Sequence, residues 1–108
     1  MAKIREVRIR FKPSGSPDVT NYNLYYCDAG AGLDYDSSVV DLGKPQVDAD
    51  GYMRVDIAAL GIFSDGRYDI GITSVDDAGN ESSMTMLRDV PFDFVAPDAP
   101  TDLAVEVI

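Results

Sequence analysis

The chain has 108 residues, 45% of them hydrophobic and 26% charged, which fits one domain with one core, inside the common range of roughly 100–150 residues. Its net charge of −10 argues against a binder of nucleic acid, whose phosphates need clustered Lys and Arg, and against anionic membranes. One cysteine and no histidine exclude an internal disulfide and a Cys/His metal site.

The N-terminal segment MAKIREVRIRFK alternates charge with hydrophobe and lacks the apolar block of a secretory signal. No apolar run approaches the ~20 residues of a membrane span. The chain is thus expected to be cytoplasmic, or extracellular or phage-associated if cut from a larger protein. Five bases against the single acid Glu6 make the first twelve residues net +4, leaving −14 for the rest. A basic strand beside acidic ones is the expected use of that asymmetry.

Val7, Ile9 and Phe11 alternate with Arg8, Arg10 and Lys12, which predicts a half-buried strand. A Pro/Gly/Ser loop follows at 12–18. Tyr22, Leu24 and Tyr26 mark a second strand with Asn23, Tyr25 and Cys27 on its other face. Residues 28–38 read as a glycine-bearing loop and 39–42 as a short edge strand near Pro45. Asp50-Gly51 predicts a tight turn before the alternating Met53, Val55 and Ile57. The segment 58–63 is where a helical turn is expected. Tyr68, Ile70 and Ile72 form the inner row of the next strand. Asp77-Ala78-Gly79-Asn80 turns the chain, and 82–90 runs back as a strand. Short strands with turn signals every 8–12 residues predict an all-β sandwich or barrel.

These residues resemble bacterial fibronectin type III domains. The resemblance is carried by Val19-x-x-Tyr22-x-Leu24-x-Tyr26, Leu60 to Ile62, Asp65-Gly66-x-Tyr68-x-Ile70-x-Ile72 and Asp76-x-x-Gly79-Asn80-x-Ser82. It covers about Val7 to Ile108, and its motifs are moderately specific. It implies a two-sheet antiparallel, immunoglobulin-like sandwich with Val7, Ile9 and Phe11 on strand B and Tyr68 as a corner tyrosine bonding back to the preceding connection. Phe11 stands where the family commonly has tryptophan. Such domains space the parts of bacterial secreted enzymes and decorate phage tails, so the implied function is a non-catalytic spacer or protein–protein interaction module.

The resemblance also implies two parts: residues 1–95 as strands B to G, and 96–108 as a strand-A-like segment at the C-terminus. Leu103, Val105 and Val107 alternate as such a strand should. Three readings stand: a shifted cut from a tandem array, a strand folding back onto strand B in cis, or a strand donated to another copy. Pairing would set Arg8 and Arg10 beside Leu103, Val105, Glu106 and Val107, with Glu106 facing Arg8 or Arg10. The expected partner is a protein, a neighbouring domain or a second copy.

No catalytic residue, cofactor or metal site is expected. Cys27 lacks a base partner, and the Asp-rich turns are explained by the backbone bonding of Asp. The alternative reading is a ligand-binding module for carbohydrate or calcium. Tyr25, Tyr35 and Tyr52 are the candidate sugar platforms. Asp34, Asp36, Ser38, Asp48, Asp50, Asp76, Asp77, Asn80 and Glu81 offer only partial sets of the 6–8 oxygens that calcium takes. For a protein partner, the outward row Tyr25, Cys27, Thr73 and Val75 is the candidate surface, with Tyr25 expected to lie over Gly71. Cys27 offers an incidental disulfide link between copies, and Asn80-Glu81-Ser82 matches a glycosylation sequon by chance.

Overall fold

A computed structural model describes residues 1–108 and is mainly β, with two antiparallel sheets and one short helix. The strands are β1 (Arg8–Phe11), β2 (Val19–Asp28), β3 (Ser38–Gly43), β4 (Met53–Asp56), β5 (Gly66–Asp76) and β6 (Thr85–Phe92), with α1 (Ile57–Leu60) between β4 and β5. One sheet pairs β1 with β4, and the other runs β3-β2-β5-β6.

Alternation explains the strands. In β1, Ile9 and Phe11 turn inward while Arg8 and Arg10 stay exposed. Ser38–Gly43 is an edge strand, as expected of 39–42. The Asp50-Gly51 turn forms with Gly51 at φ 86° and its N–H donating to the Asp48 carbonyl at 2.9 Å. The helical turn expected at 58–63 is a single turn at Ile57–Leu60. Asp56 starts it by accepting from the Ala58 N–H at 3.0 Å, and Gly61 ends it in the left-handed region at φ 67°.

Side chains of the two sheets meet. Val19 and Tyr22 of β2 pack with Met53 of β4, and Phe11, Leu42 and Ile72 close around them. Leu24 and Ile57 are both wholly buried. At the end where β5 begins, Phe63 sits edge-on to Tyr68 and to Phe92, each at 4.9 Å between ring centres. The Tyr68 hydroxyl donates to the Ser64 carbonyl at 3.0 Å and accepts from the Ser64 N–H at 3.3 Å. This is the backward bond expected of Tyr68, and it ties the 61–65 connection to the strand that follows.

One expectation is corrected. The last strand starts at Thr85 and not Ser82, because the Ser82 hydroxyl is already committed, accepting from the Ser74 N–H and donating to the Ser83 carbonyl, both at 2.9 Å. Residues 96–108 pair with nothing in this chain. Leu103, Val105 and Val107 are 95–101% exposed, and β1 has β4 as its one ladder partner. Completion in cis, with Glu106 against Arg8 or Arg10, is therefore not what the chain does here. The Cα radius of gyration is 18.7 Å, against about 13 Å for a compact chain of this length.

Direction explains the failure of cis pairing. Phe92 ends β6 opposite Gly66, the same end at which β1 begins. There the Phe94 N–H donates to Asp65 at 2.8 Å and its ring stacks on Phe92 at 6.0 Å. To lie antiparallel to β1, the tail would first have to run the length of the molecule and then reverse.

Replacing Tyr68 by Phe is expected to lower stability by about 0.5–1.5 kcal/mol, the usual net worth of a hydrogen bond, as read by urea denaturation. Leu24→Ala is expected to cost about 2–5 kcal/mol, as wholly buried leucines do.

Candidate functional site

Between β1 and β6 the two sheets leave a groove of about 420 Å³, with nine of its fourteen lining residues hydrophobic. Val7, Ile9 and Phe11 form one wall. Ile70 and Ile72 form the floor, and Leu87, Val90 and Phe92 form the other wall. A second hollow of about 510 Å³ shares Arg10, Phe11, Ile72 and Thr85 with the first and continues it toward Ser82 and Ser83. The pair make one trough along the whole open side, apolar near Phe92 and hydroxyl-lined at the far end. Leu87 stands 59% exposed on its wall.

The rim is charged. Arg8 and Arg10 project from β1 to solvent. The Arg10 guanidinium lies 4.7 Å from the centre of the Tyr52 ring, and Lys12 approaches the same ring at 5.5 Å. Tyr52 thus holds the basic row of β1 in place.

The outward row expected to receive a partner is closed by the chain itself. Tyr25 is 5% exposed and Thr73 1%, while Cys27 and Val75 are half-buried. Tyr25 does pair across from Gly71, yet the space over Gly71 is taken by other side chains. A Cβ at Gly71 would collide with the Met84 thioether and press on Leu33. Tyr35 packs edge-on to Tyr25 at 5.7 Å and donates its hydroxyl to the Ser82 carbonyl at 2.8 Å. Burial pushes the Cys27 thiol up, with Asp69, Asp28 and Asp34 adding to it, so it is a weak nucleophile.

At the margin of that cover lies a polar cluster that sequence reasoning missed. The Glu81 carboxylate accepts from Thr73 Oγ1 at 2.5 Å, Tyr25 Oη at 2.6 Å and Asn23 Nδ2 at 3.5 Å. Burial works against ionisation of Glu81, but the three donors outweigh it and hold the carboxyl below its ordinary value. The bond to Glu81, followed by burial, pushes the Tyr25 phenol up to about 12. Thr73 and Glu81 lie eight residues apart in the sequence, and only the Asp76–Asn80 turn brings them together.

A buried carboxylate was also missed. Asp69, 2% exposed, accepts from the Asp89 N–H at 2.9 Å and the Gly30 N–H at 3.1 Å. Those bonds, that to Asp89 first, hold it below the usual carboxylate range. Asp89 itself has φ 56°, and the pairing of β5 with β6 shifts by one residue between Tyr68 and Ile70. Asp69 therefore pins a β-bulge, and Arg67 clasps Asp89 from outside at 2.6 Å.

The acidic turns are occupied internally. Arg54 bridges Asp48 at 2.7 Å and Asp50 at 2.5 Å, and its hydrogen bonds lower Asp50 to about 2. Asp34 accepts from the Asp36 N–H at 2.9 Å and Asp76 from the Asn80 N–H at 2.8 Å. The three sugar-platform candidates are likewise engaged: Tyr25 under cover, Tyr35 on Ser82 and Tyr52 beneath Arg10. Comparison with protein-family models, curated proteins and solved structures found no match to this chain.

Asp69, Asp76, Asp89 and Glu81 all have folded pKa values below their ordinary ones. The unfolded chain then binds more protons, so stability present at neutral pH is lost as pH falls below the usual carboxylate range. Urea midpoints measured from neutral pH downward are expected to drop there, and Asp69→Asn is expected to lower the neutral midpoint and flatten the acid fall. In alkali the sign reverses for Tyr25. Its raised value stabilises the fold below the ordinary tyrosine pKa and is lost as pH rises through about 12. Phenolate absorbance is expected to show one late-ionising tyrosine, absent in Tyr25→Phe.

Proposed function

We propose that this chain is a non-catalytic structural or protein–protein interaction module of the fibronectin type III kind. The strand pairing supports the reading. In that scheme β1 and β4 are strands B and E of one layer, and β3, β2, β5 and β6 are C′, C, F and G of the other. The Tyr68–Ser64 bond matches the corner-tyrosine arrangement of such sandwiches.

The observation that carries the interaction role is the trough between β1 and β6. It combines apolar walls with an unpartnered strand edge and a basic rim. Such a surface suits an extended peptide segment, which gains main-chain hydrogen bonds from the edge and specificity from pockets for alternate side chains. The polar clusters elsewhere serve the fold: Glu81 seals the covered face and Asp69 sets the bulge.

The test separates this reading from a ligand-binding module. A single cooperative urea transition is expected, with a melting temperature unchanged between EDTA and millimolar calcium and no hits on a glycan array. A calcium-dependent rise in melting temperature, or reproducible glycan binding lost on Tyr52→Ala, would overturn it.

A further inference from the structure

We infer that the trough receives the C-terminal tail of a second copy of this chain, so that copies join head to tail by strand donation. This deepens the interaction role proposed above and rests on it.

The donor and the acceptor are both visible. Leu103, Val105 and Val107 recur at every second position and stand 95–101% exposed. An apolar row of that spacing suits one face of a strand, and fully exposed it is a liability until covered. The acceptor is β1, whose outer edge has no ladder partner and whose inward side chains line the trough.

Charge selects the occupant and the register. The rim of β1 is basic at Arg8, Arg10 and Lys12, and the tail is acidic at Asp98, Asp102 and Glu106. Running antiparallel, Leu103 pairs with Phe11, Val105 with Ile9 and Val107 with Val7, and these three apolar side chains then point into the trough. The same register sets Asp102 against Lys12 and Glu106 against Arg8, so both outward charges of the tail meet a base. Docking extends Asp102, which stands at φ 59° in the free tail. A neutral strand would leave the basic rim without counter-charges.

Direction selects the second copy. The chain's own tail leaves at the end where β1 begins and is anchored there by Phe94 on Asp65 and Phe92. A tail from another molecule enters freely from the far end. Because donor and acceptor lie on different parts of the surface, the contact is heterologous and builds rings or open chains.

Light scattering on the eluting full chain, from micromolar to millimolar concentration, tests this directly. Mass is expected to climb in steps of one chain. Val105→Asp is expected to weaken association at least about 10-fold, since burying a valine is worth that much or more, with far-UV circular dichroism unchanged. Arg8→Glu or Glu106→Arg alone is expected to weaken it about 1.5- to 5-fold, the range of a cross-strand ion pair, and the double variant to restore it. A folded monomer at every concentration would overturn donation while leaving the interaction-module reading standing. So would association indifferent to Val105→Asp, or tail-to-β1 contacts in NMR that persist unchanged on dilution, which would mean cis closure.

Discussion

Two strands cannot cover four. Neighbouring strands lie about 4.8 Å apart, so the β1–β4 layer spans about 10 Å and faces a sheet about 19 Å wide. Its position is set by packing: Met53 of β4 sits over Val19 and Tyr22, Phe11 packs on Tyr22, and Ile72 of β5 closes on the same cluster. The narrow layer therefore lies over β2 and β5 and leaves the first part of β6 uncovered. Leu87 remains 59% exposed for that reason. The trough, the free edge of β1 and the basic rim all follow from this mismatch in width.

The opposite face of the large sheet shows what full cover looks like. There Leu33, Tyr35 and Met84 arrive from loops and close over Tyr25 and Gly71. The polar groups trapped beneath are satisfied, with Glu81 receiving Thr73, Tyr25 and Asn23. A buried donor or acceptor without a partner costs about 1–3 kcal/mol, so this closure depends on the turn that delivers Glu81. One face of the sheet is thus sealed by its own loops, while the other is only half covered.

Much of this was legible in the sequence, because period-2 alternation reports which side of a strand is wet. Val7, Ile9 and Phe11, then Tyr22, Leu24 and Tyr26, then Tyr68, Ile70 and Ile72, read directly as strands. Asp50-Gly51 and Gly79 read as turns for the reason that positive φ favours glycine, and Tyr68 read as a tether to the preceding connection. What alternation cannot report is cover from afar. Tyr25 and Thr73 sit at outward positions, and the residues that cover this face, Leu33, Tyr35 and Met84, come from loops outside the alternating strands. Asp69 carries no signal in the sequence because its partners, the Asp89 and Gly30 amides, are backbone groups supplied by a bulge and a loop. The tail's apolar rhythm was legible too, but which molecule it meets depends on direction, and that required knowing at which end β6 stops.

The central claim is that β1 presents an edge awaiting a strand. The Ile57 N–H bonds to the Val7 carbonyl at 3.0 Å, and antiparallel alternation then turns the Arg8 and Arg10 amides away from β4, toward the open edge. Amide hydrogen exchange at those two residues, followed across protein concentration, is the most direct measurement. The account predicts fast exchange in dilute solution and protection that grows with concentration. Exchange that is fast at every concentration, or slow at every concentration, would contradict it.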